Sequence, residues 1–519
     1  MITFFFLLNN VIIKMNLSYN VGIGIMKYLK KDHMHKLTKI VGVLVFLFLL
    51  TTIILLTSPI NILETKDIFT DQGVFETIGL MMQKGYMPYR DTFDHKGPLI
   101  YLYNFLGQQI KYYKGIWYIE FINLFITFGV MYKIARLKCN RLLSLFLVLV
   151  STIALFDFFE QGNLVEEYAL PFIAVSLYIF LDYMLNQKVN KKRLITCGFS
   201  MGGVLLLRPN MISLWVVFGI IIIIKCIKEK EYQELKEFII YFMFGMLIII
   251  IPFMIWLIKN NALLDFWEQY IIFNFEYIKV SELGLGWPDK LKTFGFFMMQ
   301  SLSLLSIIAV TILCVINKKK EDLFYLIYIL ITLISISISG NRYNHYGIIL
   351  LPISIYPLSS MLRHSDNYVH YATLCVSISL LLFLGFPNYY KIVKEIPEMY
   401  QNRHVNQISV NIRNVVKVIE DNTSIDDPIS VYGNKNILYV LSKRRHATKY
   451  SYLFPLIMIS DEIKEDYFEQ LAEEKPKILV VETLKRDENM TKFITNHNYN
   501  QIYADQNYLE IYKLQEVGD

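Results

Sequence analysis

The chain has 519 residues, of which 54% are hydrophobic and 18% are charged, and its formal net charge is +6. This composition excludes an ordinary soluble protein, because apolar runs of about 17–25 residues, each long enough to cross a hydrocarbon core, recur along it. Lysine and arginine gather between those runs, where membrane topology selects them, so the charge does not indicate a nucleic-acid partner. The five cysteines form no Cys-x-x-Cys pair, which argues against a zinc site or an exported disulfide framework.

The first 39 residues are predicted to be a cytoplasmic segment, because lysines cluster just ahead of the first long apolar run. The opening run MITFFFLLNNVII is too short to span a membrane, and no signal-peptide cleavage site follows it. Met26 begins a more conventional start, basic and then apolar. One interpretation therefore places the true start at Met26 rather than at Met1.

Residues 40–387 are predicted to form about eleven membrane-spanning helices, the first from about Ile40 to Pro59 and the last ending near Pro387. Clusters of basic residues fall on alternate turns, all on one side, which predicts a cytoplasmic N-terminus. The preference for lysine over arginine and the many Ile and Asn residues fit an AT-rich bacterial genome. The protein is therefore expected in a bacterial plasma membrane.

Residues 388–519 have the composition of a soluble domain. Strand-like runs near 429–433, 477–481 and 508–512 alternate with helix-like segments near 461–473 and 486–497. This alternation predicts a small α/β domain. An odd number of spans before it places the domain on the extracytoplasmic side.

The first predicted outer loop, residues 60–115, is too polar to lie in lipid and too patterned to be unstructured. From Asp71 the apolar residues recur at helical spacing, which predicts a short amphipathic helix with Thr70 as its N-cap and a stop at Gly85 and Pro88. Asp71 would lie in the first turn, where the helix dipole favours an ionised carboxylate. That position alone is as typical of a helix start as of a functional acid.

A second polar cluster in the same loop favours the functional interpretation of Asp71. The sequence RDTFDHK leads into Pro98, which opens an aromatic-rich helix. Lys96 is the candidate contact for a charged lipid headgroup. The candidate substrate contacts are Tyr89, Asp94 and His95.

Two later outer segments carry further candidates. In EQGNLVEEY, Glu166 and Glu167 are candidate catalytic acids, because acidic residues at membrane depth are costly and tend to be functional. Asn163 and Glu166 also have the spacing of an N-cap and its third-position glutamate, so a purely structural role stays open. In GNRYNHY, Arg342 and His345 have helical i, i+3 spacing and could face a phosphate together. The outer turn at Arg208 offers another cation, and Tyr346 is a candidate substrate contact.

These residues permit transfer of a group from a phosphate-linked carrier. A carboxylate could take the proton of an acceptor hydroxyl, and lysine and arginine could neutralise the departing phosphate. Sugar nucleotides are cytoplasmic, so an enzyme working outside needs a lipid-linked donor, and the sequence has no convincing nucleotide-binding loop.

The arrangement resembles the GT-C superfamily of integral-membrane glycosyltransferases, and in particular the branch with aminoarabinose transferases and protein mannosyltransferases (glycosyltransferase family 39). The resemblance rests on TDQGVFETIGLMMQKGYMPYRD, FDHKGPLIYLYNFLGQ, EQGNLVEEYALPF and GNRYNHYGIILLP, which occur in the order of that family. It implies a polyprenyl-phosphate-linked sugar donor and an outer-face acceptor in glycan, lipid or protein.

The resemblance also implies roles for single residues. Asp71 matches the acidic residue of the first outer loop, Lys96 the lysine that meets the donor phosphate, and Arg342 and His345 a late basic cluster. Gln72 departs from the common Asp-Glu pair, which leaves open a second carboxylate and any divalent metal. A polysaccharide polymerase or ligase would place its main outer loop late in the chain. A lipid-linked-sugar flippase would line its spans with charges, and ionisable residues within these spans are few.

Overall fold

The computed structural model describes residues 31–186, 190–284, 286–300, 303–363, 368–454, 456–505 and 508–515. The two alternative starts, Met1 and Met26, lie outside the described residues. The protein is an α-helical, polytopic membrane protein that carries a small sheet domain at its C-terminus. The chain divides after Leu50 into two units, and the first helix begins in one and ends in the other.

The helical part runs from Lys31 to Gln401. Its helices are α1 (Lys31–Leu55), α2 (Thr70–Gln83), α3 (Pro98–Ile110), α4 (Ile116–Arg136), α5 (Arg141–Ala154), α6 (Val165–Asn186), α7 (Lys191–Leu205), α8 (Ser213–Lys228), α9 (Tyr232–Lys259), α10 (Leu263–Phe266), α11 (Phe273–Gly284), α12 (Trp287–Gln300), α13 (Ser303–Asn317), α14 (Lys320–Ser337), α15 (Ile355–Arg363) and α16 (Tyr368–Gln401). Short 3₁₀ turns lie at Phe156–Phe159, Pro209–Met211, Asn344–Leu350 and Pro352–Ser354, and a π-helical segment at Trp267–Ile272 joins α10 to α11.

A helical segment lies at each of the eleven predicted span positions. Among the described residues, five segments are long and apolar enough to cross a membrane, or six if one bent pair counts as a single span. The five are Lys36–Leu55, Ile116–Arg136, Val165–Asn186, Tyr232–Lys259 and Asn344–Leu362, and the bent pair is Trp287–Gln300 with Ser303–Ile316. The helix α16 continues past Pro387 to Gln401, so the predicted boundary between the two domains falls inside it.

The predicted first outer loop forms two short helices, α2 and α3, as its sequence pattern predicts. Asp71 lies in the first turn of α2, as predicted, but Thr70 is the first helical residue and Phe69 is the N-cap. The side chain of Gln72 provides the cap instead, since its Oε1 accepts a hydrogen bond from the Phe69 N–H at 3.3 Å. Gly79 lets α2 and α3 pack closely, because a Cβ at this position would lie 2.8 Å from the Asn104 carbonyl carbon.

The C-terminal domain is the predicted α/β fold, with a five-stranded sheet in the order β2-β1-β3-β5-β4. Its strands are β1 (Pro428–Tyr432), β2 (Arg445–His446), β3 (Ile478–Glu482), β4 (Tyr499–Ala504) and β5 (Leu509–Leu514), and its helices are α17 (Val410–Asn422), α18 (Ile437–Ser442), α19 (Leu456–Ile459), α20 (Asp461–Glu474) and α21 (Glu488–Asn496). The strands β1, β2 and β3 are parallel, and β5 runs antiparallel to both β3 and β4.

The sheet domain packs directly on the first outer loop. The Phe93 N–H donates to the Lys449 carbonyl at 2.7 Å, and the Phe93 ring lies 5.2 Å from the ring of Tyr450. A Cβ at Gly73 of α2 would lie 3.0 Å from the Cβ of Asn436. These contacts place the C-terminal domain beside the segment that carries Asp71.

Candidate active site

Asp71 lies half-buried at the start of α2, within electrostatic reach of three tyrosines from separate parts of the chain. Tyr277 comes from α11, Tyr343 from the loop before the 3₁₀ turn at 344, and Tyr452 from the sheet domain. Burial is the main reason that the pKa of each phenol is raised, and the Asp71 charge adds to it. Three phenol rings thus lie near the predicted acid, and aromatic rings suit packing against a sugar ring.

Asp94 is buried, and protein donors occupy both of its carboxylate oxygens. The His95 N–H donates to Oδ1 at 2.8 Å, and the Tyr101 hydroxyl donates to Oδ2 at 2.8 Å. Burial raises the pKa of Asp94, while the nearby Lys96 charge opposes that shift. Asp94 therefore shapes the loop between α2 and α3.

His95 and Lys96 stand side by side, and the Lys96 Nζ lies 2.7 Å from the His95 Nε2. The His95 ring also stacks on Tyr277, with the ring centroids 5.3 Å apart. Burial, together with the charges of Lys96 and Arg208, lowers the pKa of His95 well below its ordinary value. His95 is therefore neutral at physiological pH and can accept a hydrogen bond from the ammonium of Lys96.

Tyr89 is buried and also holds this loop. Its hydroxyl donates to the Lys96 carbonyl at 2.7 Å, and its own carbonyl accepts a hydrogen bond from the Gln269 Nε2 at 2.7 Å. Tyr89 has a positive φ of 70°, a region in which a bulky residue is strained. These contacts fix the backbone on either side of His95 and Lys96.

Arg208 joins two of the predicted outer segments. It forms a largely buried ion pair with Glu166, donates to the Tyr346 hydroxyl at 3.0 Å, and lies over the Tyr346 ring at 4.3 Å from its centroid. Although burial opposes it, the pKa of Arg208 is raised by its contacts with Tyr346 and Glu166. Glu166 is therefore the counter-ion of Arg208 rather than an N-terminal helix cap.

His345 lies beside this ion pair, and its Nδ1 is 2.5 Å from the Glu160 carboxylate. Arg342, by contrast, is exposed and precedes the 3₁₀ turn that begins at Asn344. The two residues therefore do not lie on one helix, contrary to the i, i+3 expectation, because the chain before Asn344 is not helical. The basic residues that the fold brings together here are Arg208, His345 and Lys96, and all three lie within electrostatic reach of Glu166.

Glu160 is presented by a loop with unusual backbone geometry. The φ angles are positive at four consecutive residues, 34° at Glu160, 75° at Gln161, 83° at Gly162 and 50° at Asn163. Such conformations are sparsely populated and persist only where the surroundings hold them, which is common at functional sites.

Side chains from three helices hold this loop in place. Gln72 of α2 donates to the carbonyls of Gln161 at 3.1 Å and Gly162 at 2.6 Å. The side chains of Asn104 and Asn163 exchange two hydrogen bonds, at 2.9 and 3.2 Å, and Glu120 of α4 accepts from the Asn163 N–H. The residue next to Asp71 is thus tied to the loop that holds Glu160 against His345.

Glu167, unlike Glu166, forms no ion pair with Arg208 among the described residues. It is fully buried near Glu120, and Glu76 lies close to Glu120 in turn. Within the described parts of the chain, both carboxylate oxygens of Glu167 and of Glu76 lack a hydrogen-bond partner. Burial and the nearby Glu120 raise the pKa of Glu76 well above its ordinary value, which favours its neutral form.

Sequence reasoning missed Gln72, Glu120 and Tyr452 as parts of this region. Gln72 stood out only as a departure from the family pattern, and an acidic residue inside an otherwise apolar span was the available signal for Glu120. Tyr452 belongs to the sheet domain, and its sequence gave no indication that it lies near Asp71.

One group of described residues has the geometry to hold a metal ion, and it is not at this site. Ligand atoms of Cys226, Glu231 and Glu234 lie within 4.8 Å of one another. They lie at the turn between α8 and α9, which the charge pattern places on the cytoplasmic side. Glu231 is exposed, and exposed acidic groups are common without a metal ion.

Comparison with solved structures confirms the GT-C-like fold that the sequence predicted. The chain is similar to the crystal structure of ArnT from Cupriavidus metallidurans bound to undecaprenyl phosphate, with 11% identity and a TM-score of 0.55 over 91% of this chain and 97% of ArnT. The apo structure of the same protein gives 11% identity and a TM-score of 0.54 over 93% and 98% of the two chains.

The sequence also matches a described protein family. None of the curated protein sequences matches the chain. The family described as "Putative competence-induced protein Ccs4 N-terminal domain" matches residues 29–370, which is more than half of the 519 residues. The chain therefore belongs to this competence-induced Ccs4 family.

Proposed function

We propose that the protein is a membrane glycosyltransferase that moves a sugar from a polyprenyl-phosphate-linked donor to an acceptor on the outer face of a bacterial plasma membrane. The observation that carries this proposal is that Arg208, Lys96 and His345, which come from three separate segments, all lie within electrostatic reach of Glu166, and that His345 also lies within reach of the half-buried acid Asp71. Three basic side chains and a nearby acid suit a phosphate leaving group and an acceptor hydroxyl. The solved neighbour with this fold has undecaprenyl phosphate bound.

The proposed reaction breaks the bond between the sugar C1 and the phosphate oxygen. The acceptor hydroxyl attacks C1, Asp71 takes the hydroxyl proton, and the polyprenyl phosphate leaves with the bonding electrons. Arg208, Lys96 and His345 stabilise the charge that develops on the phosphate. Tyr277, Tyr343 and Tyr452 border the space in which the sugar ring lies, and Tyr346 positions the Arg208 guanidinium.

The remaining candidates support the site in this proposal. Glu166 balances the charge of Arg208, and Asp94, His95 and Tyr89 hold the segment that carries Lys96. Glu167 is buried among other carboxyl groups, so Asp71 alone acts as the base. Arg342 is exposed, and its proposed role is to contact the outer part of the donor.

The test is transfer of radiolabelled sugar from a polyprenyl-phosphate donor into membrane fractions that contain the wild type or Asp71→Asn. We expect the variant to lose activity by about 10²–10⁴-fold, as is typical for removal of a general base. Asp426→Asn changes an exposed acid of the sheet domain and serves as the matched control. Equal transfer by the wild type and Asp71→Asn would contradict the role of Asp71.

The proposed orientation has a separate test. Ser424 is exposed on the sheet domain, so a cysteine introduced there should react with a membrane-impermeant thiol reagent in intact cells. The same cysteine in inside-out vesicles should be protected. The opposite pattern would place the sheet domain in the cytoplasm and reverse the topology.

A further inference from the structure

A groove of about 210 Å³ lies between the sheet domain and the predicted first outer loop. One wall is the segment that immediately precedes Asp71, and the other is the loop between β1 and α18. The lining residues are Asp67, Ile68, Phe69, Thr70, Asn434, Lys435, Asn436 and Ile437. The groove thus opens beside the start of the helix that carries the proposed base.

The groove occupies the position in the sheet where α/β domains commonly bind ligands. In the sheet, β2 lies on one side of β1, and β3, followed by β5 and β4, lies on the other side. The order of the strands therefore reverses between β1 and β3, and ligands of open α/β sheets bind at the carboxyl ends of strands at such a point. Asn434, which follows β1, is fixed to the end of β3, since its N–H donates to the Glu482 carboxylate at 2.5 Å.

Asn436 gives the groove an unused hydrogen-bond acceptor. Its side chain is 1% exposed and its Nδ2 donates to the Ser451 carbonyl at 2.9 Å, but its Oδ1 has no partner among the described residues. A buried carbonyl oxygen without a donor costs free energy, so a ligand that brings hydroxyl or amide donors is favoured where this side chain turns towards the groove. The carboxylate of Asp67, on the opposite wall, is a second acceptor through its Oδ2, since its Oδ1 accepts a hydrogen bond from the Ser409 N–H at 3.0 Å.

Phe69 adds an apolar surface to this polar groove. Its side chain is 57% exposed at the rim, although the residue is only two positions before Asp71. An exposed aromatic ring beside oxygen acceptors fits a ligand with one apolar face and several hydroxyl groups at its edges, which is the chemistry of a sugar ring. The side-chain amide of Asn434 exchanges hydrogen bonds with the Phe454 backbone at 2.8 and 3.1 Å, so Asn434 is not assigned a contact with the ligand.

We propose that this groove binds a hydroxyl-rich carbohydrate, and that the acceptor of the reaction is therefore a glycan held by the sheet domain. The inference rests on the proposed function for its catalytic meaning, but binding in the groove can be measured without any transfer. Phe69 packs on the sugar ring, Asn436 and Asp67 accept its hydroxyl protons, and the bound chain leads towards Asp71.

The experiment measures binding of three soluble probes, methyl β-glucopyranoside, methyl β-galactopyranoside and N-acetylglucosamine, by saturation-transfer NMR. The protein is the full chain in lipid nanodiscs. We expect saturable binding of at least one probe, with a half-saturating concentration that rises about fivefold in Phe69→Ala, as for loss of an aromatic packing contact. Phe275→Ala removes another exposed phenylalanine, from α11, and should leave binding unchanged.

The outcomes separate this inference from the proposed function. If no probe binds, or if Phe69→Ala binds as tightly as the wild type, the groove is not a carbohydrate site, whatever the transfer assay shows. If a probe binds through Phe69 but Asp71→Asn transfers sugar at the wild-type rate, the groove stands and the proposed reaction fails.

Discussion

Replacing Gln72 with glutamate should destabilise the protein, although a glutamate at this position is common in the family that the sequence resembles. The Gln72 amide is 3% exposed and donates two hydrogen bonds, to the carbonyls of Gln161 and Gly162. An ionised carboxylate has no proton to donate, so it would face two carbonyl oxygens in a buried space. The new side chain must therefore take up a proton or force the loop open.

The size of the effect follows from the cost of that proton. Holding a carboxyl with an ordinary pKa near 4.3 in its neutral form at pH 7 costs about 3–4 kcal/mol, at ~1.36 kcal/mol per pH unit. The protonated carboxyl then restores only one of the two hydrogen bonds, and the other is worth ~1 kcal/mol. At pH 5 the cost of protonation falls to ~1 kcal/mol, so the total penalty should fall from about 4–5 to about 2 kcal/mol.

Thermal unfolding of Gln72→Glu and the wild type in detergent, at pH 7 and pH 5, measures this difference. Gln83→Glu is the control, because it adds the same charge to the last turn of α2 at a partly exposed site. We expect the midpoint of Gln72→Glu to lie several degrees below the wild type at pH 7 and to approach it at pH 5. A difference that is absent, or that does not shrink on acidification, would refute the proposed role of the amide.

Two further predictions concern buried charge. Burial lowers the pKa of His446 from its ordinary value of 6.5 to about 4, so between these pH values the unfolded chain binds a proton that the folded protein does not. The free energy of unfolding should therefore fall by about 3 kcal/mol as the pH drops through this window. The variant His446→Phe should lack this part of the pH dependence. Arg208→Met leaves Glu166 as an unpaired buried charge and should lower the free energy of unfolding by about 3–5 kcal/mol. The double variant Arg208→Met with Glu166→Gln should recover part of this stability. A double variant less stable than Arg208→Met would contradict the pairing.

Local signals in the sequence were enough for much of the architecture. Helical periodicity placed Asp71 in the first turn of α2, the alternation of strands and helices predicted the C-terminal α/β domain, and the length of the apolar runs placed the helical segments. Such signals work because hydrogen bonding within a helix and burial of its apolar face depend mainly on neighbouring residues. The strand β4 was missed, and five of its six residues are at least partly exposed without an apolar alternation.

The pairings at the candidate site depend on contacts between distant segments. Glu166 has the spacing of a helix cap, yet the position of the Arg208 turn decides that it forms an ion pair. From the sequence alone, Gln72 looks like the loss of a functional carboxylate. In the structure its amide donates hydrogen bonds to the carbonyls of Gln161 and Gly162. Here 89 and 90 positions separate the partners along the chain, and no periodic signal reports on such a distance.

By itself, the sequence determined which segments of this protein are helices, strands and membrane-facing runs, and where its charged residues gather. Only the tertiary structure decided which of those charges meet, that Arg342 stays exposed while Arg208 is enclosed, and that Tyr452 of the sheet domain lies near Asp71. The physical reason is that secondary structure is selected by interactions within one or two turns, whereas a site is made by packing, which brings together residues that no local pattern relates.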